Sequence, residues 1–139
     1  MRSGETALCD TGPLVALIDS NDSAYTKCRA EIARYSGDLV TTWPVLSESF
    51  CLLRKQHLRE LLWQFVLDGG IGIADPDAGE LTRIRLLMDQ YADLPMDFAD
   101  ASLVALAERL NVVQVFTIDR RDFRVYRPRH TRAFEIFPA

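Results

Sequence analysis

Short apolar runs alternate along the chain with longer stretches of helical spacing. Ala7-Leu8-Cys9 reads as a buried strand ending at Asp10, with Thr11, Gly12 and Pro13 as turn residues. Thr11 is placed to cap a short apolar helix, Leu14 to Asp19, with Pro13 in its first turn. A second helix is predicted from Asp22 or Ser23 to Tyr35, and Leu39 to Thr42 reads as a strand. Pro44 opens a helix carrying Val45, Leu46, Phe50 and Leu53, and Leu58 to Leu67 repeats that spacing until Gly69-Gly70 stops it. Ile71 to Ala74 is a compact strand, and Asp77 caps a helix that runs to about Tyr91. Ala99 to Leu110 is strongly helical, Val112 to Phe116 is the best strand in the sequence, and a last strand covers Ala133 to Phe137. Strands alternating with helices predict an α/β fold, a central mainly parallel sheet flanked by helices on both faces.

The chain has 139 residues, 48% hydrophobic and 26% charged, which predicts a single domain over 1–139. Its net charge of −4 lacks the strongly basic balance common in nucleic-acid-binding domains, although a metal-binding carboxylate cluster shifts the count in this direction. Cys9, Cys28 and Cys51 are far apart and show no C-x-x-C spacing, so buried free thiols in a reducing compartment are expected. Met1 to Thr6 lacks a signal pattern and no apolar run is long enough to span a bilayer, which predicts a cytoplasmic protein with no membrane contact.

Candidate chemistry lies in the carboxylates. Open α/β sheets bind ligands beyond the carboxyl ends of their strands. Asp10 follows Ala7-Leu8-Cys9, and Asp119 follows Val115-Phe116-Thr117, so both aspartates fall at that location. Asp97 and Asp100 are three apart and share a face at the start of the Ala99–Leu110 helix, where an acidic pair also suits the helix dipole. The small neighbours Ala101 and Ser102 favour a metal role for Asp100. Glu48, on a helix rich in apolar residues, reads by periodicity alone as a solvated surface residue, and Asp122 as a turn or cap residue. An oxygen-only donor set selects hard cations, Mg²⁺ or Mn²⁺, of the kind that assist phosphodiester hydrolysis.

Four segments together carry a resemblance: Leu8-Cys9-Asp10-Thr11-Gly12-Pro13-Leu14, the Glu48 helix, Asp97-Phe98-Ala99-Asp100-Ala101-Ser102-Leu103-Val104-Ala105, and Thr117-Ile118-Asp119-Arg120-Arg121-Asp122-Phe123. In order and spacing the chain resembles the PIN-domain family, and within it the VapC-type toxin ribonucleases of bacterial toxin–antitoxin pairs. The resemblance implies that Asp10, Glu48, Asp100 and Asp119 are the catalytic metal ligands, with Thr11 and Thr117 in support and Asp97 as an accessory carboxylate. It implies hydrolysis of RNA with Mg²⁺ or Mn²⁺, a homodimer, and an antitoxin whose tail lies over the acidic groove.

Six arginines fall between Arg120 and Arg132, with Phe123, Tyr126 and His130 interleaved. Beside Asp119 this segment suits phosphate contacts, through Arg120, Arg121 and Arg124 first, and base stacking by its aromatics. Trp43 and Trp63 read as core or interface residues, and neither His57 nor His130 has a partner that suggests histidine chemistry. Asp10-Thr11-Gly12 also matches the aspartic protease signature, but those enzymes are all-β and this chain reads as strongly helical. A binding module without catalysis would suit the same residues, and so would a DNA-directed nuclease. The small size, with no helical arch, disfavours the DNA-directed enzyme.

Overall fold

The computed structural model describes residues 4–138. The reading of Met1 to Thr6 therefore falls in part on residues 1–3, outside the described residues, as does Ala139 at the other end of the domain. The element order is β1 (Ala7–Cys9), α1 (Thr11–Ile18), α2 (Tyr25–Arg34), β2 (Leu39–Thr42), α3 (Trp43–Leu52), α4 (Gln56–Leu67), β3 (Gly72–Ala74), α5 (Ala78–Gln90), α6 (Phe98–Leu110), β4 (Gln114–Phe116), α7 (Arg120–Val125) and β5 (Glu135–Phe137).

All strand pairings are parallel, in the order β3-β2-β1-β4-β5. The chain steps from β1 to β2 to β3 in one direction, then crosses back to β4 and β5. Right-handed crossovers in opposite directions place helices on both faces of the sheet. The central strands β1 and β4 are buried throughout, which is why they read as continuous apolar runs rather than alternating ones. Strand order reverses between these two neighbours, whose register pairs Cys9 with Phe116. That reversal opens a crevice past their carboxyl ends.

Helix α6 is the core helix. Residues Ala101 through Ala107 are all buried, and the helix packs against α5 and the end of β2. Arg83 of α5 donates twice to Glu108 of α6, at 2.7 and 2.9 Å, and Asn111 ends α6 in the left-handed conformation at φ 56°. Ser102 anchors the other end: its hydroxyl pairs with that of Thr42 at 2.7 Å, which holds the start of α6 beside the end of β2.

The structure corrects four details of the sequence reading. Asp10, not Thr11, is the N-cap of α1, because its carboxylate accepts the Thr11 N–H at 2.8 Å. The strands are shorter than their apolar runs: β4 begins at Gln114 and β5 at Glu135. A helix, α7, occupies Arg120–Val125, where the arginine-rich composition presents no apolar period. Cys9 and Cys28 are buried free thiols as expected, but Cys51 is exposed, because α3 buries Val45, Leu46 and Ser49 and turns Cys51 and Leu52 outward. Among the described residues no helix is long and apolar enough to cross a membrane.

Candidate functional site

Asp10 sits at the mouth of the crevice and is only 8% exposed. Its two oxygens are committed to different partners. Oδ1 accepts the Thr11 N–H at 2.8 Å, and Oδ2 accepts the hydroxyl of Thr117, 107 positions away, at 2.8 Å. Thr117 Oγ1 also accepts the Asp119 N–H at 2.9 Å. One buried hydroxyl thus ties the carboxylate after β1 to the backbone of the carboxylate after β4, which gives the Thr-x-Asp spacing a physical reason. Gly12 lets the same loop lie close: a Cβ there would fall 2.6 Å from Ile118 Cγ1.

Asp97 and Asp100 enter from the start of α6. Asp97 is the N-cap, its Oδ1 accepting the Asp100 N–H at 2.7 Å, so the capping role expected of an acidic pair is seen directly. Asp100 lies one turn in and receives the Tyr126 hydroxyl on Oδ2 at 3.1 Å. Asp119 caps α7, its Oδ1 accepting the Asp122 N–H at 3.4 Å. Glu48 stands on the exposed side of α3 and its charge acts on Asp10. Nothing in helical periodicity separates this Glu from an ordinary surface residue.

The electrostatics report the crowding. Burial raises Asp10 from 3.8 to about 6, against the two hydrogen bonds that lower it, and the charges of Asp119 and Glu48 raise it further. Asp100 rises to about 7, through burial first and then the charges of Asp97, Asp10 and Asp119. Asp119 is raised as well, mainly by burial. The Asp10 charge acts on Asp100, which retains its proton to the higher pH.

A metal ion would answer this crowding. Among the described residues no three His, Cys, Asp or Glu side chains form a group that could hold an ion as they stand. Hard divalent cations such as Mg²⁺ do not demand such a cage, because they keep several waters and use one or two protein carboxylates. The donor set is all oxygen, partly withdrawn from water and mutually repelling. Beside Asp10, the buried Thr11 Oγ1 has no hydrogen-bond partner among the described residues. These residues fit Mg²⁺ or Mn²⁺ better than a sulfur- or imidazole-seeking metal.

Next to the carboxylates lies a cavity of about 640 Å³, walled by Trp43, Leu81, Ile84 and Phe98, with Glu48 and Asp97 on its lining. Trp43 and Phe98 are half exposed there, and Trp63 is half exposed on α4, so neither tryptophan belongs to the core. The arginine segment divides. Arg120 is held through Nη1 to the Pro138 carbonyl at 2.5 Å, whereas Arg121 and Arg124 are exposed beside Asp119. Phe123 and Tyr126 are fully buried, so the expectation that they stack on bases is overturned. They form the apolar face that packs α7 onto the domain. His130 is half-buried and bonded through Nε2 to the Val112 carbonyl at 2.6 Å.

The raised carboxyls predict a pH dependence of stability in chelator. Above about pH 4 the unfolded chain has ionised both acids, while the folded chain holds the Asp10 proton to about pH 6 and the Asp100 proton to about pH 7. Folding therefore weakens as pH rises through this window. Thermal melts should show wild type losing stability relative to Asp100→Asn from about pH 4 to 7. Parallel pH profiles for the two proteins would contradict the crowding.

Comparison with known proteins agrees with this architecture. The family model described as PIN domain matches residues 7–128. Ribonuclease VapC26 of Mycobacterium tuberculosis is 27% identical over an alignment that covers 94% of this chain and 99% of the relative. Among solved structures, M. tuberculosis VapC20, described as a sarcin–ricin loop cleaving toxin, superposes with a TM-score of 0.76 at 16% identity, covering 83% of this chain and 91% of that one. VapBC2 from Rickettsia felis, solved bound to a DNA fragment from its promoter, gives 0.62 at 15% identity, covering 96% and 99%. At such identities these two likenesses concern the fold. With the family model spanning most of its length, the chain belongs to the PIN-domain family.

Proposed function

We propose that this chain is a divalent-metal-dependent endoribonuclease acting as the toxin of a toxin–antitoxin pair. The observation that supports the reading is electrostatic: Asp10 feels the charges of Asp119 and Glu48, and Asp100 feels those of Asp97, Asp10 and Asp119, although these residues come from separate segments. The similarity to a relative named as a ribonuclease supports RNA as the substrate. Asp10, Glu48, Asp100 and Asp119 would hold Mg²⁺ or Mn²⁺, with Asp97 as an accessory carboxylate. When bound, such an ion lowers the pKa of its water and neutralises charge on the phosphodiester.

The chain's own groups do the positioning. Thr117 and the Thr11 N–H fix both oxygens of Asp10, so this carboxylate meets its ligand without reorganising. The exposed Arg121 and Arg124, in the helix that follows Asp119, would contact phosphates flanking the cut and give an acidic protein a local basic approach. Cytoplasmic RNA is the pool such an enzyme would act on.

Asp10→Asn and Asp100→Asn test the reading directly. Each should lower the cleavage rate by more than the roughly 10- to 100-fold expected for a partner outside the ligand set. Both variants should keep the fold by circular dichroism. Wild-type cleavage by purified Asp100→Asn with Mg²⁺ would contradict the assignment, and cleavage unaffected by chelator would contradict the metal.

The cavity beside Glu48 and Asp97 suits the antitoxin. Apolar walls and an acidic rim complement a peptide segment that carries apolar side chains next to a basic one. Trp43→Glu should abolish co-purification of the chain with a co-expressed cognate antitoxin. Undiminished co-purification would place the antitoxin elsewhere.

A further inference from the structure

We infer that Tyr126 is the positioning residue of Asp100, and that α7 is the strut setting Asp100 against Asp119. The inference rests on the proposed metal-dependent reading and names a residue that the carboxylate motif does not include. Helix α7 is short, and each of its ends meets one acid. At its N-terminus Asp119 is the cap. At its C-terminus Tyr126 is the cap residue, its N–H bonded to the Asp122 carbonyl at 3.1 Å. From there the Tyr126 hydroxyl reaches Asp100 Oδ2 at 3.1 Å.

The tyrosine is unable to wander. It is 0% exposed, and its ring makes edge contacts with Phe123 at 5.2 Å and with Tyr91 at 5.1 Å between centroids. Tyr91 in turn accepts the Arg127 N–H on its hydroxyl at 2.8 Å, which pins the chain immediately after Tyr126. A phenol held this firmly gives Asp100 one preferred orientation: Oδ2 is occupied by the hydroxyl, and Oδ1 is the oxygen left for a cation. Asp10 is fixed in a related way, with the Thr11 N–H on Oδ1 and the Thr117 hydroxyl on Oδ2. A hydrogen-bonded outer partner of this kind raises metal affinity by ordering the ligand before the ion arrives.

Tyr126→Phe removes the hydroxyl and keeps the ring packing. Mn²⁺ binding measured by calorimetry should weaken by roughly 10- to 100-fold. The rate constant for RNA cleavage at fixed Mn²⁺ should fall, while KM for RNA stays unchanged. Tyr35→Phe serves as the control, because it removes a phenol hydroxyl that bonds the Glu5 carbonyl at the amino end of β1, away from Asp100. It should lower the melting temperature and leave Mn²⁺ affinity alone. If Tyr126→Phe binds Mn²⁺ as wild type does, or if Tyr35→Phe weakens binding equally, the positioning role is overturned. Failure of the underlying reading looks different: wild type itself would not bind Mn²⁺, or Asp10→Asn would bind it undiminished.

Discussion

Carboxylates drawn out of water at one mouth repel one another, and the molecule is arranged around bearing that repulsion. For Asp10 the rise from 3.8 to about 6 corresponds to about 3 kcal/mol against its ionised form. A domain's whole stability is about 5–15 kcal/mol, so one such group is a sizeable fraction of it. The structure bears this cost with donors aimed at individual oxygens: the Thr11 N–H and Thr117 hydroxyl at Asp10, the Tyr126 hydroxyl at Asp100, and the Asp122 N–H at Asp119. Each also removes a freedom of rotation from an acid.

The scaffold supplies the convergence. A parallel sheet whose order reverses between β1 and β4 sends both following loops to the same edge, so residues distant in sequence become neighbours. Helix α6 must then point its N-terminus at that edge. Its continuous burial and the Thr42–Ser102 hydroxyl pair hold it there. Core and site are therefore not separable in this chain: Ser102 and Thr117 are buried residues whose hydroxyls act at or beside the mouth.

Much of this is legible in the sequence, for reasons that differ by residue. Asp10 is readable because an apolar run, an aspartate and turn residues together mark a strand end. Asp100 follows from helical spacing and small neighbours. Glu48 is not readable from periodicity, since an exposed Glu on a helix looks the same whether or not it faces a crevice. Only the resemblance of the ordered motifs brings it in. Helix α7 escapes a periodicity reading because six residues with one fully buried side chain, Phe123, present no period. Tyr126 resembles a base-stacking residue in sequence for the same reason: composition gives an aromatic among arginines but not the face it occupies.

The basic and apolar surfaces complete a division of labour. On the proposed reading the exposed Arg121 and Arg124 offer charge to RNA, and the cavity at Trp43 and Phe98 offers apolar area to a partner. The proposed function unites these features at a single acidic hollow. Anomalous diffraction from crystals of the chain soaked in Mn²⁺ would locate the ion. The account predicts a Mn²⁺ peak in contact with the carboxylates of Asp10 and Asp100. A fully occupied ion elsewhere, with that hollow holding only water, would contradict it.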